Sequence, residues 1–215
     1  MEKHLREPIN SLTHWIGAIL SILALIAMLI KGFNNNLSSL QILSVVIFGV
    51  SLILLYSVSA TYHSVISSDD IILKLRKLDH STIFILIAGS YAPFCLIALG
   101  GKLGISFFIL MILIAISGVI FKLCWFNCPR WLQTALYIGM GWSAIFVIKP
   151  LSQVMSPTSI FWLVLGGVLY TLGGVLYALK PKKLQLGAFG FHEIFHIFIL
   201  LGSLSHFISV FIYLL

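Results

Sequence analysis

Two histidines and a carboxylate near the C-terminus are the residues of this sequence best placed to do chemistry. His192, Glu193 and His196 form the pattern H-E-x-x-H within the stretch FHEIFHIF at 191–198. On a helix, residues four apart project about 40° from one another, so His192 and His196 can ligate the same metal ion. Imidazole nitrogens are common zinc ligands. The spacing therefore predicts a helix face that supplies two ligands to one metal.

The elements that position these groups are predicted to be membrane helices. The 215 residues are 60% hydrophobic and 9% charged, whereas soluble domains carry about 25% charged residues. A helix needs about 20 mostly apolar residues to span a bilayer, and the alternating pattern of a membrane β-barrel is absent. We predict one all-α integral membrane domain over 1–215, a seven-transmembrane helix bundle. Its helices are expected at 11–30, 40–63, 81–99, 104–123, 132–149, 159–179 and 193–215.

The basic residues indicate how this bundle is oriented. The net charge is +7, and ten of the thirteen Lys and Arg residues fall on one predicted side, leaving Lys31, Lys102 and Lys149 on the other. The positive-inside rule then puts the N-terminus in the cytoplasm and the C-terminus outside. The charge is explained by topology and by contact with anionic lipid head groups, so no nucleic-acid partner is predicted. No cleavable signal sequence is apparent, and the first apolar stretch is interpreted as a helix.

This topology brings distant polar residues to one leaflet. His63 ends the second predicted helix, with Ser59 one turn deeper, and Asp79 and His80 open the third. The first and seventh predicted helices begin at the same level, with the polar residues Glu7, Asn10, Thr13, His14, His192, Glu193 and His196. Ionisable groups at such positions are costly and point to function.

The converging residues have the composition of a catalytic zinc site. His63 can add a third nitrogen to those of His192 and His196, and three protein ligands plus a water are typical of catalytic zinc. Zinc lowers the pKa of its bound water to about 7. Asp79 would accept a hydrogen bond and a proton from that water. Ser59, on the same helix face as His63, would orient the water or a substrate carbonyl.

Each of these groups also has a structural interpretation. His206 is predicted to hydrogen-bond a neighbouring helix rather than a metal. His14 and His80 could support the ligand histidines or lie at the membrane interface, and Ser59 alone could simply pack. Asp79 alone could cap the third predicted helix.

An intramembrane zinc protease is disfavoured, although H-E-x-x-H is its signature. Proteases of that class take their third ligand from a later Asp-containing segment, and none follows the seventh predicted helix. The pattern is short and arises easily by chance. Glu193 lies about 100° around the helix from His192, which leaves the geometry open.

Two further patterns predict packing rather than chemistry. Cys124 and Cys128 lie one helical turn apart, but no neighbouring Cys or His completes four ligands, and Cys95 stands alone. The repeat GGVLY at 166–170 and 173–177 puts glycines on one helix face, where a neighbouring helix can approach closely.

Four motifs carry a family resemblance along the whole chain. REPINSLTH, SATYHS, KLDHSTIFILIAGSYAPF and HEIFHIFILLGSLSHF occur in the order in which the haemolysin III family has them, and the chain resembles that family. The family is similar to the progestin and adipoQ receptors and, more distantly, to the alkaline ceramidases. Together they form a superfamily of suspected membrane hydrolases with a signature of Ser, three His and Asp, which matches Ser59, His63, Asp79, His192 and His196.

The resemblance implies roles for these residues and leaves others open. In the receptor branch the histidines bind zinc near the cytoplasmic side and the aspartate contacts the zinc-bound water. Glu7, Asn10, Thr13 and His14 match the first family motif, whose role is left open; bracing the first helix against the site is one interpretation. Two departures weaken the receptor analogy, because there is no long N-terminal region and Glu193 replaces the usual Gln.

Three functions compete at this point. The preferred hypothesis is a Zn²⁺-dependent hydrolase of an acyl or amide bond in a lipid of the cytoplasmic leaflet, with membrane lipids as the partner and substrate. The alternatives are a membrane-perturbing or pore-forming protein (cytolysis) and a non-catalytic regulator of membrane state. A transporter is disfavoured because the polar groups cluster at one leaflet. The expected location is a bacterial inner membrane, with the substrate and the oligomeric state left open.

Overall fold

The regular structure of the protein is helical. The computed structural model describes residues 5–181, 184 and 189–215. Its helices are α1 (Pro8–Asn34), α2 (Ser39–Ser64), α3 (Asp69–Pro93), α4 (Gly101–Cys124), α5 (Arg130–Trp142), α6 (Ile148–Val154), α7 (Pro157–Leu179) and α8 (Phe191–Tyr213).

Most of these helices have the length and composition of membrane spans. Among the described residues, six helices are long and apolar enough to cross a bilayer, and the pair α5 and α6 makes a seventh if the two are one broken span. Large aliphatic side chains such as Ile19, Leu113 and Leu172 are exposed on the outside of the bundle, as lipid contact requires. The prediction of an all-helical multi-pass membrane protein is confirmed.

The fifth predicted helix, 132–149, is not continuous. α5 ends at Trp142, a 3₁₀ turn follows over Ser143–Phe146, and α6 continues at an angle of 55°. Pro150 lies in the first turn of α6. A proline lacks the N–H for an intrahelical hydrogen bond, and its ring clashes with the carbonyl four residues earlier, here that of Phe146. The break therefore follows from Pro150, whose effect on the helix a count of apolar residues does not capture.

The third helix begins well before the predicted residue 81. α3 begins at Asp69, with Asp69 and Asp70 in its first turn, where acidic groups favour the helix dipole. Asp79 is therefore inside the helix, and the predictions that it opens or caps this helix are wrong. α3 continues as a π-helix over Phe94–Leu99, and this span is the most buried of the six: 67% of its apolar stretch is buried, against 22% for α4 and for α7.

The ends of α1, α2 and α8 meet at one end of the bundle. The backbone N–H of Glu7 donates to the carbonyl of His63 (3.0 Å), and that of Arg6 donates to the carbonyl of Ser64 (3.3 Å). At the opposite end Lys31 Nζ donates to the carbonyl of Phe211 (2.5 Å). We call the end that carries Glu7, His63 and His192 the histidine end.

The glycine repeat of α7 packs against α8, as predicted. A Cβ on Gly166 would lie 2.2 Å from the ring of His206, and one on Gly173 would lie 3.0 Å from Phe198 Cβ. Both neighbours belong to α8. The glycines thus let α8, which carries two histidines of the candidate site, lie directly against α7.

Candidate metal centre

Three histidines from two helices meet at the histidine end. His63 comes from the last turn of α2, and His192 and His196 come from the first two turns of α8. One nitrogen from each ring lies within 4.8 Å of the others, the only such group of three His, Cys, Asp or Glu residues in the described part of the chain. His63 and His196 are 2% and 1% exposed. The convergence predicted from the topology is present.

Glu7 fixes the ring of His63. His63 Nδ1 lies 2.7 Å from Glu7 Oε2. The hydrogen bond from His63 lowers the pKa of the Glu7 carboxyl from 4.5 to about 2, so this group is a carboxylate at neutral pH. A carboxylate only accepts hydrogen bonds, so Nδ1 carries the proton and the lone pair is on Nε2 of His63. Such a carboxylate–histidine pair is a common support for a metal ligand.

Thr13 fixes the ring of His196 in a similar way. The Thr13 hydroxyl donates to the carbonyl of Asn10 (3.0 Å), so its oxygen accepts from His196 Nδ1 at 3.3 Å. That leaves the lone pair of His196 on Nε2. His14 stacks on the other face of the cluster, with its ring centroid 3.7 Å from that of His196. The start of α1 therefore contacts the site through Thr13, His14 and the preceding residue Glu7, all of which belong to the first family motif.

His192 leaves a nitrogen unused. Its Nε2 is buried and has no hydrogen-bond partner among the described residues, although buried polar groups are nearly always paired. Nδ1 of His63 and Nδ1 of His196 are engaged by Glu7 and Thr13, and one nitrogen of each of the three rings faces the others. Zinc–nitrogen bonds are about 2.0–2.1 Å long, so two nitrogens bound to one zinc lie at most about 4 Å apart. The three histidine nitrogens, within 4.8 Å of one another, are close to that spacing. The residues present fit a metal ion.

Glu193 does not point into this cluster. Its Oε2 accepts from the N–H of Gly190 (2.8 Å), which caps the start of α8, and its Oε1 accepts from Asn10 Nδ2 (2.9 Å). Asn10 also donates to Glu7 (3.0 Å), so it links the start of α1 to the start of α8. A metalloprotease needs the glutamate of H-E-x-x-H at the metal-bound water. The capping role of Glu193 therefore argues against that activity.

Asp79 and Ser59 line the same cavity as the histidines. Asp79 Oδ2 lies 3.3 Å from Nδ1 of His80, and Nε2 of that ring lies 3.1 Å from the Tyr177 hydroxyl. Tyr137 donates to the carbonyl of His80 (2.8 Å). His80 therefore contacts Asp79 rather than the three histidines. Neither tyrosine was predicted from the sequence, because their only signal was a hydroxyl on an apolar helix.

A large cavity extends from the three histidines into the bundle. Its volume is about 720 Å³, and its wall is largely apolar, with Leu55, Leu86 and Phe195 among the lining residues. It also reaches His206, which is ten residues beyond His196 on α8. Ten helical residues span about 15 Å. The cavity is therefore long enough for much of an acyl chain.

His206 and the cysteines are not part of the three-histidine cluster. His206 Nε2 lies 3.2 Å from the carbonyl of Leu163 in α7, which confirms the predicted interhelical hydrogen bond. Cys95, Cys124 and Cys128 are free thiols.

Comparison with known proteins gives consistent relatives. Residues 3–207 match the family model described as "Haemolysin-III related". The chain is 38% identical to "Hemolysin-3 homolog" of Bacillus subtilis (strain 168), over 96% of this chain and 93% of the relative. It is also 38% identical to "Hemolysin-3" of Bacillus cereus, over 100% of this chain and 95% of the relative. A more distant relative is "ADIPOR-like receptor IZH2" of Saccharomyces cerevisiae, 28% identical over 61% of this chain and 46% of the relative.

Proposed function

The chain belongs to the haemolysin-III related family of membrane proteins, and we propose that it is a zinc-dependent hydrolase of an acyl or amide bond in a membrane lipid. The observation that carries the proposal is the position of His63, His192 and His196 at the end of an apolar cavity of about 720 Å³. A catalytic zinc site needs three protein ligands and an accessible fourth position, and a lipid substrate needs an apolar cavity beside it.

The three histidines would hold the metal as neutral ligands. Bound there, zinc would supply a coordinated water with a pKa of about 7 and would polarise a carbonyl. Glu7 and Thr13 keep the protons of His63 and His196 on Nδ1, so both rings present Nε2 to the metal without reorientation. The first-motif residues of α1 are thus assigned to ligand positioning.

Asp79 would transfer the proton, and Ser59 would bind the carbonyl oxygen. Asp79 accepts a proton from the attacking water and passes it to the leaving amine or alcohol. The hydroxyl of the water stays on the acyl carbon, so the products are a carboxylic acid and the amine or alcohol. Ser59 donates a hydrogen bond to the carbonyl oxygen as negative charge develops on it. Both residues line the cavity that the substrate would occupy.

A hydrolysis assay with purified protein tests this proposal. Zinc-loaded protein is incubated with ceramides and with phospholipids, and released fatty acid is measured by mass spectrometry. We expect Asp79→Asn to lose at least 100-fold in rate while it retains zinc, because a positioned acid–base group contributes about 10²–10⁴-fold. Asp70→Asn, an exposed carboxylate at the start of the same helix, should leave the rate unchanged. Equal rates in wild type and Asp79→Asn, or zinc-loaded wild type inert to the whole panel, would refute the proposal.

A membrane-perturbing activity is the second candidate, because a relative at 38% identity carries the name Hemolysin-3. Dye release from liposomes distinguishes the two. A direct pore would release dye equally from wild type and His192→Ala. Release that follows from lipid hydrolysis would disappear in that variant and in Asp79→Asn.

A further inference from the structure

A second, smaller pocket lies beside the cavity at the histidine end. Its volume is about 190 Å³, below the ~300–1,000 Å³ of sites for drug-sized ligands. It shares Arg76, Arg130 and Tyr177 with the wall of the main cavity. The pocket therefore has the size of a single polar group rather than of a whole lipid.

A buried lysine lines this pocket. Lys122 is 1% exposed. Its Nζ donates to the carbonyl of Phe126 (3.0 Å) and to Oε1 of Gln133, and it lies 3.8 Å from Cys128 Sγ. The carbonyl of Phe126 and the amide of Gln133 are uncharged, so they satisfy N–H groups of Lys122 without balancing its charge. A buried charge without a counter-charge is costly.

Two arginines add to the same positive charge. Arg76 and Arg130 line the pocket with Lys122, and Nη1 of Arg130 is buried without a hydrogen-bond partner in the described part of the chain. Among the described residues the ion pairs are Arg6–Glu7 and Lys74–Asp70, and the carboxylates of Glu7 and Asp79 also contact the rings of His63 and His80. Within the described ranges, none of the three pocket cations is within 4.0 Å of a carboxylate. Three cationic side chains thus line one pocket without a carboxylate in direct contact, although Asp79 lies 3.3 Å from His80 of the same pocket.

We propose that this pocket binds a phosphate group. A phosphomonoester carries about −1.5 to −2 charges and three acceptor oxygens at pH 7, which compensates the pocket better than a single carboxylate. Guanidinium groups bind phosphate through paired N–H donors, and a lysine ammonium does so as a point charge. The phosphate can belong to a lipid head group or be free in solution. The wall shared with the main cavity favours a lipid head group as the source, because the acyl chains of that lipid would then enter the main cavity.

The proposal does not depend on zinc or on hydrolysis, so binding alone tests it. The full-length protein in detergent is titrated with dihexanoyl phosphatidic acid, dihexanoylglycerol and inorganic phosphate, and bound molecules are counted by native mass spectrometry. Arg130→Gln and Arg76→Gln each remove one pocket charge. Lys74→Gln is the matched control, because it removes one charge at the same end from a side chain that is 71% exposed. Size-exclusion profiles and thermal midpoints establish that each variant is folded.

The outcomes separate the two sources. We expect one phosphatidic acid per chain and no specific dihexanoylglycerol, with affinity reduced about tenfold or more in Arg130→Gln and Arg76→Gln and unchanged in Lys74→Gln. The same pattern with inorganic phosphate alone would identify free phosphate as the ligand. Absence of phosphate-dependent binding in wild type, or an equal loss in Lys74→Gln, would overturn the proposal.

Discussion

Glu7 Oε2 and His63 Nδ1 lie 2.7 Å apart, although 56 residues separate them in the chain. Glu7 immediately precedes α1 and His63 is in the last turn of α2, so the contact forms only when these two ends meet. The paired backbone hydrogen bond, from Glu7 N–H to the His63 carbonyl at 3.0 Å, keeps them together. The ring of His63 is therefore oriented by a residue that is not one of the three clustered histidines.

Glu7→Gln should weaken metal binding without unfolding the protein. An amide accepts a weaker hydrogen bond than a carboxylate, so His63 becomes less well oriented and less basic. Loss of such a supporting group typically costs 10–100-fold in metal affinity. Zinc affinity measured by chelator competition should fall by this factor in Glu7→Gln. Asp70→Asn makes the same chemical change at an exposed side chain and should bind zinc like wild type; equal affinities in all three proteins would contradict the role of Glu7.

The contact between α7 and α8 predicts a sharp difference between adjacent glycines. A Cβ at Gly166 would lie 2.2 Å from the His206 ring, whereas nothing lies within 4 Å of a Cβ at Gly167. Overpacking of this kind costs about 1–3 kcal/mol. The thermal midpoint of Gly166→Ala should therefore fall, while that of Gly167→Ala should stay level or rise, because alanine favours the helix. A similar midpoint for both variants would show that the helices do not pack as closely as described.

The charge distribution predicts the orientation of the bundle in the membrane. Lys74, at the histidine end, and Lys102, at the start of α4, are both exposed, and the positive-inside rule puts the first in the cytoplasm and the second outside. Single cysteines at these positions, in a chain whose three native cysteines are replaced by serine, can be labelled with a membrane-impermeant maleimide in intact cells. Lys102→Cys should be labelled directly and Lys74→Cys only after permeabilisation. The reverse pattern would move the candidate site to the outer leaflet.

The sequence predicted the meeting of the three histidines because their positions depend on coarse features. His63, His192 and His196 are all at helix ends that any antiparallel seven-helix topology brings to one side. The bond between Glu7 and His63 could not be predicted, since it depends on how a residue outside a helix folds back on another helix end. The predicted start of the third helix was wrong for a related reason. The segment from Asp69 to Lys77 is polar, so an apolar count excludes it, yet its acidic first turn and its ion pair Asp70–Lys74 support a helix.

The metal content of the purified, detergent-solubilised protein shows most directly whether the three histidines bind a metal ion. Inductively coupled plasma mass spectrometry would compare wild type with His192→Ala, and with His206→Ala as the control from the same helix outside the cluster. We expect about one zinc per chain in wild type and in His206→Ala, and almost none in His192→Ala. Wild type that contains no metal after zinc is supplied, or His192→Ala that retains a full equivalent, would contradict it.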